Sequence, residues 1–197
     1  MSDSLSSPVA WQELILGGQK SGKTRRAEQA ARDWLDAAPG RSATYLATGQ
    51  AWDDEMRARI ARHQVDRAAR VLGMQTVEAP LQLAQALQAH SNPQTLVVVD
   101  CLTMWLTNWM MPMEAAASST SAEPSPDWGA QRSRLLQVLV HCPGPVVLVG
   151  NEIGLGVIPM GREVRAFVDA LGVLNQDVAA ACSRVTLMAA GLPLQLK

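Results

Sequence analysis

Two hydrophobic periods alternate along the chain, and their alternation predicts the architecture. Short apolar runs at 13–16, 43–47, 95–100 and 145–149 read as strands, with a weaker one at 76–78 and a closing pair at 184–188 and 192–196. The runs at 95–100 and 145–149 are apolar without interruption, as central parallel strands covered on both faces must be. Between the strands the period lengthens. From Lys23 on, Ala27, Ala30, Ala31, Trp34 and Leu35 recur at helical spacing until Pro39-Gly40 stops them. A second helix opens on Asp53, Asp54 and Glu55, acidic residues that the positive end of a helix favours, and runs towards Arg70. Met56, Ile60, His63 and Arg67 fall along one of its faces. Pro80 opens a third helix through Leu83, Ala84 and Leu87, and a short one follows at 102–110. Asp127 caps a fifth helix through Leu135, Leu136 and Leu139, and two further helical segments are expected at 164–171 and 175–181.

Strands alternating with helices define an α/β fold with a mostly parallel central sheet flanked by helices. Ligands of such sheets bind beyond the carboxyl ends of the strands. Four polar or glycine-rich segments fall at those ends: Gly17-Gly18, Thr48-Gly49-Gln50, Asp100 and Asn151-Glu152. Their convergence on one rim predicts a site there.

Composition narrows the class. Of 197 residues, 48% are hydrophobic and 18% charged, as in a globular chain, and that length suits one domain. We therefore expect a flexible tail at 1–11 and a single catalytic domain at 12–197, interrupted by a mobile surface loop at 112–126, rich in Ala, Ser and Pro. A net charge of −1 makes no electrostatic case for nucleic acid. No apolar run reaches the ~20 residues that a membrane-spanning helix needs, and the first residues lack the basic and apolar regions of a signal peptide. Cys101, Cys142 and Cys182 are widely spaced and form no metal-binding pair, so reduced thiols in a cytoplasmic protein are expected.

The chemistry begins at Gly17-Gly18-Gln19-Lys20-Ser21-Gly22-Lys23-Thr24, which fits GxxxxGK[ST] at every fixed position. Glycines let successive backbone N–H groups turn inward around phosphate oxygens, and the helix that follows adds its positive end. Lys23 supplies a cation to the β- and γ-phosphates, and the Thr24 hydroxyl can ligate Mg²⁺. Asp100, closing the most apolar strand, stands where a carboxylate holds that Mg²⁺ directly or through water, or else caps the next helix. The fold expected is thus P-loop NTPase-like. A guanine-binding NKxD motif is missing, and the DxxG match at Asp169 to Gly172 lies in a helical region, so a GTP-driven switch is excluded. Small-molecule kinases, nucleotidyltransferases and ATPases remain, as does a non-catalytic nucleotide-binding regulatory protein.

Beyond the phosphate loop, ordered motifs over about residues 13–197 resemble one family: ILGGQKSGKT, YLATGQ with DDEMRARIARH after it, VVVDCLTMWLTN, VVLVGNEIGLGVIP, RAFVDALGVLNQDVA and the terminal GLPLQLK. Together these resemble the bifunctional adenosylcobinamide kinase/adenosylcobinamide-phosphate guanylyltransferase family of adenosylcobalamin biosynthesis. The resemblance implies phosphorylation of adenosylcobinamide by ATP or GTP. It further implies transfer of GMP from GTP to the adenosylcobinamide phosphate through a guanylylated histidine, which is His63. It places Thr48, Gly49, Gln50, Gln64, Val65, Asp66, Arg67, Glu78 and Asp100 around the nucleotide and implies a homo-oligomer, a trimer. From spacing alone, His63 reads first as a core or capping histidine, and only the family pattern reverses that reading. Where the family carries proline after the arginine and tryptophan soon beyond, this chain has Ala68 and no tryptophan between Arg67 and Trp105. A P-loop kinase without guanylyl transfer therefore stands as the alternative.

Overall fold

A computed structural model describes residues 10–112 and 128–197. The expected tail up to residue 9, the loop from 113 on and the Asp127 cap lie outside the described residues. Strands β1 (Gln12–Gly17), β2 (Ser42–Ala47), β3 (Gln75–Glu78), β4 (Thr95–Asp100), β5 (Val146–Val149), β6 (Arg184–Ala189) and β7 (Leu192–Gln195) form one sheet in the order β3-β2-β4-β5-β1-β6-β7. Every pairing is parallel except β6 with β7. The helices are α1 (Lys23–Asp36), α2 (Asp54–Arg70), α3 (Leu83–His90), α4 (Leu102–Met110), α5 (Trp128–Val140) and α6 (Arg162–Ala181).

Both sheet faces are apolar because the pleat sends alternate residues of each central strand to opposite sides. Leu14, Leu16, Val97, Val99, Val146 and Leu148 pack with α3, α4, α5 and α6. Ile15, Leu96, Val98, Val147 and Val149 pack on the other face with Ala27, Ala31 and Trp34 of α1. Each fully buried Leu or Val side chain contributes on the order of 1.5–3 kcal/mol. The strands are thus anchored on both sides, and their carboxyl ends are held in fixed register.

Two elements differ from the sequence reading. The helical segments expected at 164–171 and 175–181 are one 20-residue helix, Arg162–Ala181. Gly172 lies inside it, and a mid-helix glycine costs only about 1 kcal/mol. Burial of Leu171, Leu174 and Val178 against the sheet outweighs that cost. The helix expected to open at Pro80 starts at Leu83 instead, and the Pro80 carbonyl accepts a hydrogen bond from Asn108 Nδ2 at 2.8 Å.

At the other edge of the sheet, Ala190 and Gly191 both take positive φ, as the two-residue turn of a tight hairpin requires. That turn sits on the phosphate loop, where Gly191 N donates to Ser21 O at 3.0 Å. No helix among the described residues is long and apolar enough to cross a membrane.

Candidate active site

Strand register builds the site. Glu78 pairs with Ala47, Ala47 with Asp100, and Asp100 with Val149, so the ends of four adjacent strands lie in one row. Gly17 ends β1 beside them. The loop that follows β5 is tied to it, because Glu152 N donates to Gly17 O at 3.1 Å. The rim expected from the sequence is therefore assembled by the sheet itself.

Gly17 has no room for a side chain. A Cβ there would lie 2.5 Å from the Met188 carbonyl oxygen and 2.6 Å from Ser21 Oγ. Lys20 and Gly22 both take positive φ, which curls the loop between β1 and α1. Such curling turns backbone N–H groups towards one concave centre, and Gly22 is the N-cap of α1, whose free N–H groups add to it. Lys23 is buried, and its Nζ donates to Gly18 O at 2.7 Å, folding the side chain back over the loop. Burial holds its ammonium below the ordinary lysine range, while nearby Asp100 pulls the other way.

Asp100 is the hub of the site. Its Oδ2 accepts from Thr24 Oγ1 at 2.8 Å and from the Tyr45 hydroxyl at 2.9 Å. The motif threonine and the strand-end acid are 76 residues apart in the chain and meet directly. Their donor set, one hydroxyl and one carboxylate, fits Mg²⁺, a hard cation that takes few protein oxygens and completes its shell with phosphates and water. Among the described residues no cluster of three or more His, Cys, Asp and Glu could hold a metal ion.

From Tyr45 the contacts continue to α2. The Arg67 guanidinium lies 3.7 Å over the Tyr45 ring, and its Nη2 donates to Thr76 Oγ1 at 3.1 Å. Arg67 is buried, 5% exposed. Arg70 adds a second tether, 3.1 Å from Glu28 of α1. The C-terminal end of α2 is thus fixed to β2, β3 and α1, while Gln64 and Val65 are exposed and Asp66 is half-buried. His63 is also exposed on α2, and the contacts joining Lys23, Thr24, Asp100, Tyr45 and Arg67 do not include it. Of the four residues expected on one face of this helix, only Arg67 is buried; Met56 and Ile60 are half-buried.

Thr48 is fully buried and serves the backbone. Its hydroxyl donates to Cys101 O and accepts from Cys101 N, both at 2.7 Å. The Thr48 carbonyl accepts from Asn108 Nδ2 at 2.8 Å. It fixes the loop that carries Gly49 and Gln50, both half-buried, whereas Glu78 is exposed at the end of β3. On the opposite side, Thr103 Oγ1 accepts from Asn151 N at 2.9 Å and Asn175 Nδ2 donates to Asn151 O at 3.1 Å.

Sequence reasoning missed Tyr45, Thr103, Asn108 and Asn175. The available signal was a polar group inside an otherwise apolar element: Tyr45 is the one tyrosine of the chain and stands in a buried strand just before the rim. A buried hydroxyl or amide must find a partner, and these partners hold the loops of the site.

A parallel sheet, a glycine-rich phosphate loop at a helix start, and a threonine–aspartate pair beside a buried lysine define a P-loop nucleotide-binding enzyme. The cobinamide kinase/cobinamide phosphate guanyltransferase family model matches residues 13–196, and the chain belongs to that family. It is 42% identical over 185 residues to the bifunctional adenosylcobalamin biosynthesis protein CobP of Pseudomonas aeruginosa, covering 94% of this chain and 96% of that protein. It is 34% identical over 194 residues to the bifunctional adenosylcobalamin biosynthesis protein CobU of Escherichia coli K12, covering 93% and 98% respectively.

Proposed function

We propose that this chain phosphorylates adenosylcobinamide with ATP or GTP, then transfers GMP from GTP to the product through a guanylylated His63, giving adenosylcobinamide-GDP. The observation that carries the reading is the direct meeting of Thr24 and Asp100 beside Lys23, inside a family with both activities in its description. Gly17, Gly18, Gln19, Lys20, Ser21 and Gly22 wrap the triphosphate, and Lys23 takes the charge that builds on it. Thr24 and Asp100 hold Mg²⁺, which neutralises phosphate charge when bound. Gly49, Gln50, Gln64, Val65, Asp66, Arg67 and Glu78 surround the rest of the nucleotide, with Thr48 fixing their loop.

In the kinase step the substrate hydroxyl attacks the γ-phosphorus, the nucleoside diphosphate leaves, and the hydroxyl proton is released. In the second step an imidazole nitrogen of His63 attacks the α-phosphorus of GTP and pyrophosphate leaves. An oxygen of adenosylcobinamide phosphate then attacks the same phosphorus, and the P–N bond breaks to restore the histidine. Exposure of His63 suits an acceptor that meets first GTP and then a bulky second substrate. The same reading places the enzyme in the cytoplasm, where its unpaired cysteines would stay reduced, and makes the chain from residue 12 one catalytic unit. A homotrimer belongs to the proposal through the family resemblance, and sedimentation velocity measures it.

Incubation with α-labelled GTP tests the chemistry. Wild-type protein is expected to take up label that survives base and is lost in acid, because a protonated phosphoramidate nitrogen leaves readily. His63→Ala is expected to take up none and to form no adenosylcobinamide-GDP, while keeping most kinase activity. Label on the His63→Ala protein would sink the mechanism. A wild-type protein that phosphorylates but is never labelled would leave the kinase alone.

A further inference from the structure

Tyr45 lies in β2, 6% exposed, and makes two different contacts from one side chain. Its hydroxyl donates to Asp100 Oδ2 at 2.9 Å, the same oxygen that accepts Thr24 Oγ1 at 2.8 Å. Its ring face carries the Arg67 guanidinium at 3.7 Å. A buried ring that only filled space would be as well served by phenylalanine, since a buried hydroxyl costs stability unless it is bonded. Two O–H donors on one carboxylate oxygen fix that carboxylate's rotation and leave the lone pairs of its other oxygen to accept from, or coordinate, a ligand. The ring supplies Arg67 with a planar partner that a lysine at this position could not use as well. Among the described residues Arg67 pairs with no carboxylate, so the ring and Thr76 Oγ1 are what hold it.

We propose that Tyr45 is a positioning residue that sets Asp100 through its hydroxyl and Arg67 through its ring, joining the phosphate site to the helix that carries His63. The proposal rests on the functional reading above in taking Asp100 as a magnesium-side group and Arg67 as a nucleotide-side group. Tyr45 touches no reacting atom; it acts through the other two.

The test uses binding, which needs no turnover. In the full chain, the Mg²⁺ concentration that half-maximally raises the melting temperature in saturating GTP is measured, together with the Kd for GTP at high Mg²⁺. Tyr45→Phe removes only the hydroxyl, and the half-maximal Mg²⁺ is expected to rise about tenfold, the effect of losing one hydrogen bond to a charged group. In an Asp100→Asn background the same substitution should add less than about twofold, because its route is already cut. Tyr45→Leu removes the ring as well and should weaken GTP a further fivefold or so relative to Tyr45→Phe. Should Tyr45→Leu not fold, Arg67→Lys reaches the same stacking contact from α2 and is expected to weaken GTP by a similar factor. A wild-type Mg²⁺ midpoint in Tyr45→Phe, or an effect undiminished in Asp100→Asn, would overturn the proposal. So would a GTP Kd that follows Tyr45→Phe in the ring-removing variant. Protein that binds GTP with Mg²⁺ but transfers neither group would defeat the functional reading while these binding shifts still decide the role of Tyr45.

Discussion

At the scale of single residues, Lys23 and Asp100 show how burial and charge are balanced around the phosphate loop. Lys23 is buried with its ammonium on Gly18 O, and desolvation already works against its charge. Its side chain therefore adds little to the stability of the free protein, and in the proposed function its value lies in meeting phosphate. Lys23→Ala is expected to slow both reactions by on the order of a hundredfold or more, the scale of losing one preorganised charge at a developing anion. The melting temperature without ligand should stay within a few degrees of wild type. Steady-state rates and a thermal melt check both halves, and near-normal turnover in either reaction would remove the loop from that step. The residue roles were unevenly legible beforehand. Lys23 and Thr24 are set by a contiguous motif, whose geometry is local. Tyr45 belongs to no motif, and its role depends on Asp100 and Arg67 arriving from 55 residues away on β4 and from α2.

At the scale of elements, the phosphate loop and the β6–β7 hairpin are packed as one unit. Gly17 abuts the Met188 carbonyl of β6, and Gly191 bonds the Ser21 carbonyl. Gly17→Ala would push a Cβ to 2.5 Å from a backbone oxygen at a φ of +153°, where neither β1 nor β6 can yield without breaking their ladder. A loss of about 2–4 kcal/mol is expected, the range for overpacking combined with strain. Denaturant unfolding measures it, and a change under 0.5 kcal/mol would mean that the hairpin does not press on the loop. Gly18→Ala is the control, since no atom lies within 4 Å of a Cβ there. The glycine pattern of the motif was visible in the sequence, but the reason each glycine is there was not. Gly17 answers to a strand 171 residues further along, Gly18 to nothing nearby. The one long helix of 162–181 was likewise obscured by Gly172, because local propensity carries no knowledge of the sheet that covers Leu171 and Leu174.

At the scale of the whole molecule, buried thiols link the core to pH. Cys182, at the end of α6, is pushed up to about 12, by burial first and then by Glu13, against the opposing effect of Lys197. An unfolded cysteine titrates near 8.5. The folded state therefore holds this proton more tightly than the unfolded state between about pH 9 and 12. The stabilisation is complete below that window and is lost as pH rises through it. The melting temperature should be flat from pH 7 to about 8.5 and fall beyond it, with a shallower fall in Cys182→Ala. Identical alkaline slopes in the two proteins would show that Cys182 is not the group responsible.

The parts that local physics controls are legible in the order of the residues. Apolar runs of strand length alternating with helical stripes dictate an α/β sheet, and a glycine-rich turn before a lysine and a threonine at a helix start dictates a phosphate cradle. Ordered motifs across almost the whole chain also sufficed to place it in its family. Which distant groups share an atom is settled by tertiary structure. Strand order puts β4 between β2 and β5, and through that neighbourhood Asp100 Oδ2 receives both Thr24 and Tyr45. It also decided that Arg67 is buried and His63 exposed on the same helix, because α2 is held at its C-terminal end by Tyr45, Thr76 and Glu28. Periodicity assigns residues to a face of a helix, but the depth of each along that face depends on where the neighbouring elements stop.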